Sequence, residues 1–429
     1  MMTESVRLAD ICSDVSYGFT ASATEQVTGT KFLRITDIQG GRVDWGTVPF
    51  CEIDEKSKAK NLLLQNDIVV ARTGNSTGEN YLFRGGYSTV FASYLIRFRV
   101  NPSSAHPKFI WYQMRSKKWW DFIGGAKTGS AQPGANAKLL GGYELNLPKL
   151  PDQKAIAHIL GTLDDKIDLN QKMNETLEEI AKAIFKSWFV DFDPVRAKME
   201  GRPTGLPDDV SDLFPDELVD SEIGEIPKGW EVNELRSLVS LNAKNWTKRN
   251  HPDSLEYLDL GNIKSNTIIE TEKYKWDEAP SRARRVLSFG DTIVGTVRPG
   301  NKSFGFIQKS GITGSTGFAV LTPSQKEFSE FVYLCACSDQ NIARLARLAD
   351  GAAYPAVGNE IILATICVKP PNELLFKFHS LVSPLIAKLK VAGDESVCLS
   401  ELRDTLLPKL ISGELRIPDA EKFLEETGI

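Results

Sequence analysis

Two short segments place arginine and asparagine on protruding turns, and these are side chains suited to hydrogen-bonding DNA bases. The first, NDIVVARTGNSTGEN, offers Arg72, Thr73, Asn75 and Ser76 where a β-branched run breaks into a Gly-rich turn. Its counterpart, DTIVGTVRPGNKS, offers Arg298, Asn301, Lys302 and Ser303. Arginine forks match guanine O6 and N7, and asparagine amides match adenine N6 and N7. A solvated polar turn has the same composition, so both readings stand at this point. Two further segments, KTGSAQPGAN and DGAAYPAVGN, are Gly-rich and invite close backbone approach to phosphate. Lys127, Thr128, Gln132 and Tyr354 are their reachable side chains. A packing turn before a final strand explains those segments equally well. Lys31, Arg34, Lys127, Lys248, Arg249 and Lys302 are the expected phosphate contacts.

Catalytic chemistry finds little support. GTVRPGNKS approaches the phosphate-loop pattern GxxxxGK[ST], but Asn301 separates Gly300 from Lys302 and the spacing fails. Asp191-Phe192-Asp193-Pro194 is only loosely like the Asn/Asp-Pro-Pro-aromatic loop of amino-methyltransferases and has no Gly-rich methyl-donor turn with it, so it reads as a helix terminator. The six Cys, at 12, 51, 335, 337, 367 and 398, contain no CxxC pair. They read as reduced structural thiols, and no metal site is expected. No Cys/His couple, paired carboxylates or Ser/His/Asp set stands at suggestive spacing.

Residues 6 to 20 show a helical pattern. The runs KFLRITDI, NDIVVAR, YLFRGGY and YLIRFRV then read as strands of a compact sheet or barrel. A helix is expected over residues 107 to 123. From Pro151 to Pro194 the apolar seam Ile156, Leu160, Leu163, Ile167, Asn170, Asn174, Leu177, Ala181, Ile184 and Trp188 steps alternately by four and three residues. That is the 3.5-residue repeat of a coiled coil, with two Asn that would fix register. From residue 152 to 190 the helix would be about 58 Å long at 1.5 Å per residue.

Moving along the chain by a constant offset of 222 finds its partner: Phe378, Val382, Leu385, Leu389, Ala392, Ser396, Leu399, Arg403, Leu406 and Leu410. Pro384 lies inside that stretch, and AGDES over residues 392 to 396 predicts a loosened middle. An offset of 224 aligns LLLQNDIVVARTGNS with VLSFGDTIVGTVRPG, matching Asp67 with Asp291. The chain is therefore a tandem duplication of one globular unit followed by one long helix. The second unit repeats the order with EVNELRSLVSLNA, LEYLDLGNI, TIVGTVR, GFAVLT and the helix EFSEFVYLCACSDQNIARLAR.

The expected divisions are residues 1 to 150 and 231 to 370 as globular units, 151 to 199 and 371 to 429 as long helices with a tail, and 200 to 230 as an irregular linker. Net charge is -5 overall. Residues 1 to 150 carry 18 Lys and Arg against 13 Asp and Glu, and residues 236 to 370 carry 17 against 13. The globular units are thus the basic parts, as polyanion binding requires. No membrane span is expected. The N-terminal stretch lacks a signal-peptide core, which points to the cytoplasm.

The long helix LPDQKAIAHIL…LDDKIDLNQKMNETLEEIAKAIFKSWFVDFDPVRAK, the second-unit start EIGEIPKGWEV and the duplicated layout together resemble the specificity subunit of a type I restriction-modification system. The resemblance covers essentially the whole chain. It implies an α+β fold, with two target recognition domains separated by two long antiparallel coiled-coil helices. It implies DNA recognition without catalysis, each domain reading one half of an asymmetric bipartite site on double-stranded DNA while the helix pair sets the gap. It also implies two modification subunits using S-adenosylmethionine, two restriction subunits using ATP and Mg, and no cofactor in this chain. A DNA methyltransferase or nuclease acting alone, or a coiled-coil scaffold without DNA binding, are the rival readings.

Overall fold

The computed structural model describes residues 4 to 127, 134 to 351 and 354 to 427. It divides into two units. One comprises Met1–Leu169 with Glu395–Ile429, the other Asn170–Asp394. No helix among the described residues is long and apolar enough to cross a membrane.

In the first unit a four-stranded antiparallel sheet has the order Cys12–Tyr17, Leu95–Val100, Ile68–Ala71, Asn80–Leu82. Its inner strand, IVVA, is β-branched at three of four positions and buried at all four, which suits a pleated surface covered on both sides. Lys31–Leu33 pairs parallel with Thr89–Phe91, and Glu4–Arg7 pairs antiparallel with Glu144–Leu147.

The second unit repeats this register. Ile68↔Phe98 and Ile68↔Leu82 become Thr292↔Leu321 and Thr292↔Phe306. Val6↔Leu145 becomes Asn233↔Cys367. The parallel pair recurs as Ser254–Leu258 with Ile312–Ser315, inside a four-stranded sheet of its own. The strands described form open sheets, so the barrel alternative is set aside.

Several expectations need correction. Residues 6 to 20 are not helical: a short 3-10 turn, Leu8–Ile11, separates strands Glu4–Arg7 and Cys12–Tyr17. The strand pairing of both ends overrides the weak helical spacing. The helix expected over 107 to 123 is two, Pro107–Gln113 and Lys117–Lys127, and its second-unit counterpart is Ser329–Ala336 and Asp339–Leu348. Ser338 caps the latter, its hydroxyl accepting from Asn341 N at 3.2 Å.

Residues 200 to 230 are not an irregular linker either. They include helix Asp208–Ser211 and the hairpin of Leu218–Ser221 with Gly224–Pro227. Phe214, Ile226 and Trp230 from this stretch are buried in the second unit's core. Pro, Gly and Asp marked the turns correctly but carried no information on the apolar residues between them. Pro194 does not simply end a helix: the long helix stops at Phe189, and Pro194 lies in the first turn of the next one, Asp193–Met199.

The two long helices are Leu150–Phe189 and Asn372–Ser412, and the second runs unbroken through Pro384 and Gly393. In the first unit Ile156, Leu160, Leu163 and Ile167 share a core with Leu399, Leu406 and Leu410. Within the second unit Trp188 shares one with Phe378, Val382 and Leu389, while Leu177 and Ile184 pack at its margin. Asn170 is buried, and Asn174 Nδ2 donates to Leu389 O at 3.2 Å. Leu385 is a correction. It is only half-buried, and Ile386 takes the core place, because the buried steps 378, 382 and 386 follow the 3.6-residue turn through Pro384.

Candidate nucleic-acid interface

Arg72 follows directly from the buried strand Ile68–Ala71, so its backbone is fixed by the sheet. Its Nε donates to Ser93 O at 3.0 Å, and its guanidinium lies 5.3 Å from the Tyr17 ring and 5.8 Å from the Tyr94 ring. Both tyrosines are exposed. Sequence reading missed them, since the three residues lie far apart along the chain and only the sheet joins them. Thr73 bridges to Gly134, and Ala135 N donates to Arg72 O at 2.8 Å, so the Gly-rich segment closes onto the end of the strand. Asn75 is exposed, and Ser76 Oγ accepts from Gln39 Nε2 at 3.3 Å.

The second unit builds the same closure, Val297 bridging to Ala356 and Val357 N donating to Thr296 O at 2.9 Å. Thr296 therefore stands where Arg72 stands in the first unit. Arg298 lies two residues further into the turn, its guanidinium 4.8 Å from the ring of the exposed Tyr354. Arg298 and Lys302 flank the 3-10 turn Pro299–Asn301 with φ of 48° and 58°. A left-handed conformation in a residue with a Cβ costs about 1 to 3 kcal/mol, and such strain gathers at functional turns. Asn301 is exposed between them.

The remaining candidates differ in how they are held. Lys31 Nζ donates to Val48 O at 2.6 Å and sits 4.2 Å from the Phe50 ring. Arg34 forks onto Asp37 at 3.0 and 2.8 Å, a hydrogen-bonded pairing that lifts the guanidinium pKa. Ser303 Oγ donates to Leu260 O at 2.8 Å. These three make structural bonds inside their unit. Lys302 pairs with Asp339 at 2.9 Å and holds that carboxyl below its usual range, yet it remains half-exposed. Lys248 and Arg249 are exposed on the turn between Thr247 and Asn250. Lys127 is the last residue of its helix, and Thr128 and Gln132 lie outside the described residues.

No group of three His, Cys, Asp or Glu among the described residues could hold a metal ion. The enclosed cysteines are poor nucleophiles: the hydrogen bond with Cys367 and burial raise the Cys335 thiol pKa, and partial burial pushes Cys12 up to about 12. Two duplicated α+β units each place a cation-bearing turn at the end of a buried strand.

Comparison with known proteins shows what the chain is similar to. Residues 3–179 match the type I restriction modification DNA specificity domain. The HindI specificity subunit of Haemophilus influenzae is 25% identical, covering 95% of this chain and 98% of that relative. The MjaIX specificity subunit of Methanocaldococcus jannaschii is 26% identical, over 73% of this chain and 70% of the relative. A crystal structure of the type I S subunit from M. genitalium shares the fold, with TM-score 0.56 at 15% identity over 95% of this chain and 96% of that one. Over residues 3–179 the chain is thus similar to the type I restriction modification DNA specificity domain, and over most of its length to type I specificity subunits.

Proposed function

We propose that each globular unit reads one half of an asymmetric bipartite site on double-stranded DNA. Arg72 and Asn75 serve one half, Arg298 and Asn301 the other. The observation that carries this reading is the repeated strand register with different side chains on its turn. Thr296 replaces Arg72 at one hydrogen-bonded position, and Arg298 appears two residues later. A common scaffold presenting different donors is what two unlike half-sites require.

The long helices set the gap between half-sites and dock two modification subunits and two restriction subunits. S-adenosylmethionine, ATP and Mg belong to those partners, and the complex works in the cytoplasm. The test is methylation mapping in cells carrying this chain with its modification partner. The expected motif has two specific parts separated by a fixed unspecified gap. A continuous or palindromic motif would overturn the bipartite reading.

A further inference from the structure

One cationic surface of the second unit is built on a strand where the first unit has a short helix carrying Lys56, Lys58 and Lys60. At the register Leu62↔Val90 the first unit brings in the end of helix Glu55–Asn61. At the matching register, Val286↔Thr313, the second unit instead extends a strand, Ala283–Val286, whose sequence is ARRV. The outer edge of that strand takes up the stretch after Asn242: Val286 N donates to Lys244 O at 3.0 Å and Trp246 N to Arg284 O at 2.8 Å. Trp246 Nε1 reaches Thr313 Oγ1 at 2.9 Å and pins the added edge to the sheet.

This edge gathers Lys244, Lys248, Arg249, Arg284 and Arg285, and two of them are braced. Arg284 lies 4.4 Å from the Trp276 ring, and Trp276 is itself stacked on His251 at 4.0 Å and 4°. The Arg285 Nη1 donates to Asn245 Oδ1 at 2.8 Å, while its buried Nε has no hydrogen-bond partner. Burial lowers the Arg285 pKa. Glu272, Asp277 and Glu278 are the carboxylates closest in sequence to Trp276, and Trp276 N donates to the backbone oxygen of Asp253 at 2.9 Å. Among the described residues no carboxylate forms an ion pair with any of the five cations. The neighbouring Arg282 and Lys309 differ, being tied to Asp259 and Glu256.

Five cations on one sheet edge, none in an ion pair among the described residues and two of them held by an aromatic ring and an amide, suit a polyanion rather than a fold-stabilising role. Lys244 alone also acts on a buried carboxylate, Asp291. Fixed guanidinium groups lose little freedom on meeting phosphate oxygens. We propose that this edge is a phosphate track for duplex DNA, giving the second unit a sequence-independent grip in addition to its turn. The proposal rests on the DNA-reading function above, and Trp276 acts in it as a positioning residue for Arg284.

The test measures binding of the full chain, assembled with its modification partner, to two duplexes across a salt series. One duplex carries the methylated motif and the other a scrambled sequence. Lys244→Gln, Arg249→Gln and Arg284→Gln should each weaken both duplexes alike, lowering the slope of log affinity against log salt by about 0.9 for each phosphate left without its cation. Trp276→Leu should reproduce the Arg284→Gln slope. The exposed Lys244→Gln and Arg249→Gln variants keep the test independent of folding at the stacked site. Unchanged slopes with normal motif preference would overturn the track while leaving DNA recognition intact. A loss of preference for the motif would overturn its sequence independence. A wild-type complex that binds neither duplex would overturn DNA recognition itself, and the track with it.

Discussion

Asp67 and Asp291 occupy one place in the two copies and meet different partners. Asp67 receives the Arg99 fork at 2.7 Å on each oxygen. In the repeated register Arg99 is replaced by Thr322, and Asp291 Oδ1 is buried without a hydrogen-bond partner. Burial raises the Asp291 pKa, against the lowering effects of the Ser288 N–H, the Thr322 side chain and Lys244. The folded unit therefore holds that proton more tightly than the unfolded chain does. Stability falls as pH rises from the unfolded carboxylate value, about 4, and the full penalty is present above the folded one. Asp291→Asn should raise the opening free energy of strand Thr292–Gly295 at pH 7 by about 1 kcal/mol, with the gain shrinking toward pH 4. Hydrogen exchange at Ile293 reads this directly, and a gain independent of pH would refute the assignment. The sequence aligned the two aspartates but could not show that the arginine opposite only one of them makes the difference. Tyr17 and Tyr94 were hidden in the same way, because neighbours across a sheet leave no spacing signal in the chain.

At the scale of elements the long helices were legible and the shorter ones less so. A 3.5-residue seam repeats often enough to outweigh local exceptions, and even Pro384 is absorbed. By contrast, a helix broken after Gln113 or Ala336 keeps its apolar period on both sides, so the break is invisible until the structure is seen. The seam also holds a polar clamp. In the first unit Asp164 Oδ1 accepts from Arg403 at 2.7 Å, and Oδ2 accepts from the Tyr112 hydroxyl at 2.6 Å, with Asp164 and Arg403 only 4% and 8% exposed. The offset of the duplication carries this pair onto Ile386 and Ala181, both in the apolar core of the second unit. A charge pair at one end and an apolar pair at the other means that a slipped register would bury an unpaired charge. Arg403→Met should cost about 3 to 5 kcal/mol, whereas Arg403→Met combined with Asp164→Leu should recover most of it. Urea unfolding of the single and double variants checks this. Strictly additive losses would show that the pair does not act as a unit.

For the whole molecule, duplication explains how one chain could specify two unlike half-sites, and the long helices are the proposed ruler between them. They contain 40 and 41 residues, so each is about 60 Å long at 1.5 Å per residue. Inserting one heptad after Asn174 and a matching heptad after Ser396 keeps each seam in phase and lengthens both helices by about 10 Å. Duplex DNA rises about 3.4 Å per base pair, so the unspecified gap in the methylated motif should grow by up to about three pairs. Those pairs also rotate the duplex by more than about a quarter turn, taking about 10.5 pairs per turn. Affinity should therefore fall as the gap shifts, because the DNA must twist or bend to present both grooves. Ile167→Asp makes the complementary change: a charge in the seam should disrupt helix pairing or partner assembly while the bases preferred in each half stay the same. Methylation mapping reads gap and half-sites separately. A heptad variant that assembles, methylates and keeps the original gap would leave the helices as a docking platform and remove the ruler.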